Sequence, residues 1–156
     1  MASNVKDLLS RDNPIFAIYA FYAAVLVVKM FATALYTSLH RVKKGVFINP
    51  EDAVTFGSKG MKLINNDQDV ERIRRAHLND LENIPAFLFI ALLYILTDPS
   101  TFLAMNLIRA FAAARVLHTL VYAVKPMPQP SRALFYFVGL GVTSYMAAIV
   151  AMHFGS

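Results

Sequence analysis

The sequence predicts an all-α fold: an integral membrane four-helix bundle forming one domain over residues 1–156. Hydrophobic residues make up 57% of the 156-residue chain and charged residues 16%, with a mean hydropathy of +0.49, more apolar than a soluble domain of this size requires. Three apolar runs, Pro14 to Leu39, Thr101 to Val124 and Ala133 to Phe154, are long enough to cross a ~30 Å hydrocarbon layer. The breaks between the runs hold no second core, so the spans must pack on one another.

The elements follow in order. Residues 1–13 form a polar leader, and Asn13-Pro14 reads as a helix start, with Asn at the cap and Pro in the first turn. The first span, 14–40, is too long, and is interrupted too late by Lys29, to be the core of a cleaved signal peptide, so it is a retained span. Residues 41–68 are the one sizeable loop, with the turn-forming "NPED" and the small-residue "FGSKG". Ile84 to Thr97 is only about 14 apolar residues, so the second span crosses a bilayer only if its helix starts upstream, giving 69–97. The connector "DPS" leads to the third span, 101–124, and "KPMPQPS" leads to the fourth, 131–154.

Lys and Arg number eight between Arg41 and Arg75, whereas "DPS" has none and the leader has two, matched by two acids. The excess of cations places the 41–68 loop in the cytoplasm, with the N-terminus, "DPS" and the C-terminus on the opposite side. The net charge of +5 is thereby explained by topology and anionic headgroups. No aromatic-basic stacking platform or DNA-reading motif is present, so nucleic acid is not an expected partner. With no cysteine, the chain has no disulfide, no thiolate nucleophile and no soft-metal site. His77 and His118 lack partners at ligand spacing, so no metal is expected.

The second span begins inside "ERIRRAHLNDLEN", and its charges therefore lie on a helix. At ~3.6 residues per turn, Arg75, Asn79 and Glu82 share one face, as do Arg115, His118 and Tyr122 in the third span, which also carries Arg109. A charge at mid-bilayer costs roughly 2.5–3.5 kcal/mol, so both polar stripes are expected to face the bundle interior or an adjoining subunit, near the cytoplasmic side. One reading has these residues satisfy one another, Glu82 with an arginine and Asn79 with a backbone carbonyl. Against it, Arg41, Arg74, Arg75, Arg115 and Arg132 outnumber Asp80 and Glu82. Surplus guanidinium groups point to an anion, preferably one with carboxylates that arginine can grip in bidentate fashion, and His118 and Tyr122 would add neutral donors beside it.

The segments "VERIRRAHLNDLEN", "KKGVFINPEDAVTFG", "ARVLHTLVY" and "PMPQPSRALFYFVG" together resemble the MAPEG superfamily of membrane-associated proteins in eicosanoid and glutathione metabolism, over roughly residues 14–145 and in the same order. The resemblance implies a homotrimer of four-helix subunits, multi-pass in the endoplasmic reticulum membrane, with the outer mitochondrial membrane as a second location. It implies glutathione as co-substrate, held between subunits at the cytosolic side. Carried over residue by residue, the glutathione contacts would be Arg41, Arg74, Arg75, Asn79, Glu82, His118 and Tyr122, and Arg132 the catalytic arginine near the thiol; His77, Arg115 and Tyr136 are further candidate contacts.

The implied activity is a glutathione transferase acting on hydrophobic electrophiles, with reduction of lipid hydroperoxides by the same thiolate. Two alternatives stay open. A glutathione-dependent eicosanoid isomerase, of the prostaglandin E synthase kind, is disfavoured by Leu78 and Ala133, where that branch has an arginine and a serine. A non-catalytic lipid-binding scaffold would have no need of Arg132 together with the Arg74 to Glu82 set. An ion pathway fits poorly, because the fourth span is nearly uncharged. The aromatic clusters "YAFYAA" and "LFYFVG" read as packing or interfacial anchors. "GLG" at 139–141 reads as close helix packing, and Lys29 as snorkelling or facing a polar axis.

Overall fold

The computed structural model describes residues 4–57 and 67–155, and every regular element among them is helical. A short helix, α1 (Val5–Leu8), precedes α2 (Pro14–Lys44), α3 (Pro50–Phe56), α4 (Gln68–Ile95), α5 (Thr101–Thr119) and α6 (Ser131–Phe154). The last turn of the third span widens to a π-helical turn over Leu120–Val124. Four helical stretches are long and apolar enough to cross a membrane: Pro14–Lys44, Gln68–Ile95, Thr101–Val124 and Ser131–Phe154.

Local chemistry sets the ends. Asn13 Oδ1 accepts from the backbone N–H groups of Ile15 (2.8 Å) and Phe16 (3.2 Å), while Pro14, which has no N–H to satisfy, fills the first position of α2. The helix runs to Lys44, past the residue 40 that apolarity alone marks. It stops at Gly45, whose φ of 63° is left-handed, with Val46 N–H donating to Arg41 O (2.9 Å). The expected 41–68 loop thus contains the end of α2 and all of α3, and the "SKG" part of "FGSKG" lies outside the described residues.

At 1.5 Å per residue, α4 with its 28 residues is about 42 Å long, some 12 Å more than the hydrocarbon layer. Its charged first two turns therefore extend beyond the apolar zone. Pro85 sits on an exposed face of α4, and the helix continues through it.

The helices form a four-cornered bundle in which α2 packs on α4 and α5, and α6 packs on α5 and α4. Its dry centre joins Leu26 of α2, Ile84 and Phe87 of α4, Ile108 and Phe111 of α5, and Met146 of α6. Phe87 and Phe111 stack with centroids 3.6 Å apart. The outer faces are apolar too: Phe31, Leu35, Phe89 and Phe102 are all more than 60% exposed, which suits lipid rather than water. The chain is a multi-pass membrane protein.

Lys29 does not snorkel: its ammonium pairs inward with Asp80 of α4, because a buried carboxylate at that depth is the nearest countercharge. In "GLG", Gly139 is buried against α5, whereas Gly141 has open space around it.

Candidate functional site

α4 starts, α5 ends and α6 starts at the same end of the bundle, and there the three border an open cavity of about 520 Å³. Arg75, Leu78, Asn79 and Glu82 line it from α4. His118 and Tyr122 come from the end of the third span, and Arg132, Ala133, Tyr136 and Phe137 from the first turns of α6. Gln129 closes it from the connector.

Three of these side chains form a ladder. The Arg132 guanidinium carbon lies 4.7 Å from the centroid of the Tyr122 ring, and the Tyr122 and His118 rings meet edge to face at 5.5 Å. A planar cation resting on an aromatic face is held in orientation without being neutralised. Arg132 Nε and His118 Nδ1 are buried and have no hydrogen-bond partner among the described residues. Arg75, Glu82 and Arg132 form no salt bridge among the described residues. The cavity thus presents two uncommitted guanidinium groups and one uncommitted carboxylate, a charge set complementary to a ligand with carboxylates and an ammonium.

Seven of the eleven sequence-predicted residues, Arg75, Asn79, Glu82, His118, Tyr122, Arg132 and Tyr136, converge on this cavity. The other four do not. Arg74 is exposed and donates to Glu71 (3.1 Å) on its own helix. His77 is half-buried, with Nδ1 unpartnered among the described residues, and does not line the cavity. Arg41 lines a separate recess of about 220 Å³ with Phe47, Asp52 and Phe56.

Arg115 is fully buried and bonds Asp80 Oδ1 at 2.6 Å instead of lining the cavity. The helix spacing that puts it on a face with His118 is right, but the buried carboxylate claims it. Gln129 and Phe137 escape sequence reasoning. Gln129 sits in an irregular proline-rich connector with no periodicity to read, and Phe137 belongs to an aromatic cluster that reads equally well as a lipid anchor.

Fold and site together define a multi-pass membrane protein with an arginine-lined cavity at one end of its helical bundle. A sequence profile of the MAPEG family matches residues 19–152. The chain is 47% identical over 138 residues to microsomal glutathione S-transferase 1 of Homo sapiens, covering 87% of this chain and 88% of that protein. It is 44% identical over 147 residues to the Rattus norvegicus protein of the same name, covering 93% of each. Its identity to prostaglandin E synthase of Equus caballus is 42% over 116 residues, covering 74% of each. The chain belongs to the MAPEG family.

Proposed function

We propose that this protein is a membrane glutathione transferase that holds glutathione in the α4–α5–α6 cavity and directs its thiolate at hydrophobic electrophiles from the bilayer. The observation that carries this reading is the convergence of Arg75, Glu82 and Arg132, none of them ion-paired among the described residues, on one cavity. Glutathione has two carboxylates and one α-ammonium, so the arginines take carboxylates and Glu82 takes the ammonium.

A thiol of pKa near 8.5 is only a few per cent ionised at neutral pH, and lowering that pKa by ~2 units requires about 2.7 kcal/mol. One guanidinium in a partly dry site supplies energy of that order, and Arg132 is placed in this role. The thiol proton leaves to water. The thiolate then forms a C–S bond with the electrophile while the leaving group departs with its electron pair, or an activated alkene takes up a proton. With a lipid hydroperoxide, two glutathiones supply the electrons and end as the disulfide, and the hydroperoxide becomes an alcohol and water.

A groove of about 260 Å³ adjoins the cavity at Glu82 and runs between α4 and α6 past Ala86, Leu140, Ser144 and Ala147. The Thr143 hydroxyl in it is spent on Gly139 O (3.0 Å), so the groove presents a largely apolar surface that favours an apolar electrophile. Leu78 and Ala133 both line the cavity and bring neither charge nor hydroxyl, which favours the transferase over the isomerase reading.

The proposed assembly is a homotrimer in which the Arg41 recess of one copy completes the cavity of the next. The proposed location is the endoplasmic reticulum membrane, with the outer mitochondrial membrane as a second site and the cavity towards the cytosol. The test is an ultraviolet difference spectrum of the detergent-purified protein on adding glutathione. A thiolate band at neutral pH is expected, and glutathione binding without such a band would remove the transferase reading.

A further inference from the structure

Asp80, on α4 behind the cavity, is fully buried and shared by three other side chains. Lys29 of α2 pairs with Oδ2, Thr119 Oγ1 donates to the same oxygen at 3.3 Å, and Arg115 Nη2 of α5 donates to Oδ1 at 2.6 Å. Two cations against one carboxylate leave the group with a formal charge of +1, directly behind a cavity that already favours anions.

Arg115 Nη2 also donates to Asn79 Oδ1 at 2.7 Å. A guanidinium has donors only, so the atom of the Asn79 amide that faces it is the carbonyl oxygen. The Asn79 NH2 therefore points away from Arg115, and Asn79 lines the cavity. Arg115 has no freedom to release it, since its side chain is 0% exposed and tied to Asp80.

We propose that Asp80, acting through Arg115, is a positioning residue that fixes the polarity of Asn79, so that Asn79 meets the ligand as a hydrogen-bond donor and never as an acceptor. This inference rests on the reading of the cavity as a glutathione site, and the partner of the Asn79 NH2 is a carboxylate or amide oxygen of glutathione. A donor held in place before the ligand arrives loses little freedom on binding, and it discriminates against ligands that offer an N–H at that point.

The experiment uses the full-length protein in detergent at pH 8, with glutathione binding measured by calorimetry and turnover measured with a nitro-activated aryl chloride. Asn79→Asp keeps an acceptor for Arg115 but replaces the donor by a carboxylate. Its Kd for glutathione is expected to rise roughly ten- to hundredfold. Unchanged or tighter binding would mean that the carbonyl faces the ligand and would overturn the assigned polarity alone.

Asp80→Asn is expected to raise KM for glutathione more than it lowers kcat, and to reduce the further effect of Asn79→Asp in the double variant. A lower yield of folded protein with unchanged KM in the folded fraction would make Asp80 structural only and overturn the proposal. Should Asp80→Asn not fold, Arg115→Lys keeps a cation beside Asp80, but its ammonium ends one atom short of Nη2, the single nitrogen that reaches both Asp80 and Asn79, and the same KM-weighted loss is expected. A wild-type protein that binds no glutathione would overturn this inference together with the functional reading.

Discussion

Arg115 and Asp80 close a salt bridge of 2.6 Å between side chains that are both wholly excluded from solvent, joining α5 to α4. A buried pair of this kind gives little net stability over an apolar alternative, but removing one partner strands a charge. Asp80→Ala would leave two cations, Lys29 and Arg115, facing each other without a countercharge. The expected loss is about 3–5 kcal/mol, visible as a large fall in the thermal unfolding midpoint in detergent. An unchanged midpoint would mean that water or a lipid headgroup neutralises the pair.

Arg132 is oriented by the face of Tyr122 at 4.7 Å. Arg132→Ala is expected to abolish the glutathione thiolate band at neutral pH and to lower kcat/KM by about 10²–10³, while glutathione affinity falls less. Equal losses of affinity and of thiolate would make Arg132 a binding residue. Tyr122→Leu removes the platform but keeps the cation, and is expected to raise the apparent thiol pKa by less than Arg132→Ala does. That difference is measurable by titrating the thiolate band.

Which of these residues meet was legible in the sequence to the extent that the contact lies along one helix. Arg75, Asn79 and Glu82, spaced by four and three, fall on one cavity wall as the helical period requires. Arg115, His118 and Tyr122 are spaced in the same manner, yet the first belongs to the buried ion group and the other two to the cavity. A helical face is broad, and what divides it is a carboxylate on another helix, 35 residues away in sequence. The same holds for Lys29, whose partner is 51 residues distant. Arg74 and Arg75 are adjacent and chemically identical, and a rotation of about 100° sends one to Glu71 and the other to the cavity.

Gly139 tests how tightly α6 sits on α5. A methyl group added there would meet Phe111 Cε2 at 3.5 Å and Arg115 Cδ at 3.7 Å, both ordinary contact distances. Gly139→Ala is therefore expected to be neutral or to stabilise by up to about 1 kcal/mol, because glycine inside a helix carries an entropic cost. Gly139→Leu, by contrast, would force apart the stacked Phe87–Phe111 pair behind it and is expected to cost about 1–3 kcal/mol. Thermal midpoints of the two variants separate a merely small residue from one that the helix contact demands.

Asp67 ties the start of α4 to the end of α2. Its Oδ1 accepts from the backbone N–H groups of Asp69 and Val70, each at 3.0 Å, and both its oxygens accept from Lys44 Nζ, at 2.9 and 3.1 Å. The Val70 N–H and the Lys44 ammonium hold this carboxyl below the usual aspartate range. A carboxyl with a depressed folded-state pKa stabilises fully above its unfolded value, roughly pH 4, and the contribution is lost as pH falls through the lower folded value. Amide exchange at Asp69 and Val70, corrected for the intrinsic rate, is therefore expected to lose protection as pH drops below about 4, while the Phe87–Phe111 core keeps its own. Asp67→Asn retains a cap for the two N–H groups but leaves Lys44 paired with Asp69 alone, at 2.5 Å. Its exchange should depend less on pH over that window than the wild type's, the remainder coming from Asp69, whose carboxyl Lys44 also holds low. A pH dependence equal to that of the wild type would assign the effect to Asp69 or another carboxyl.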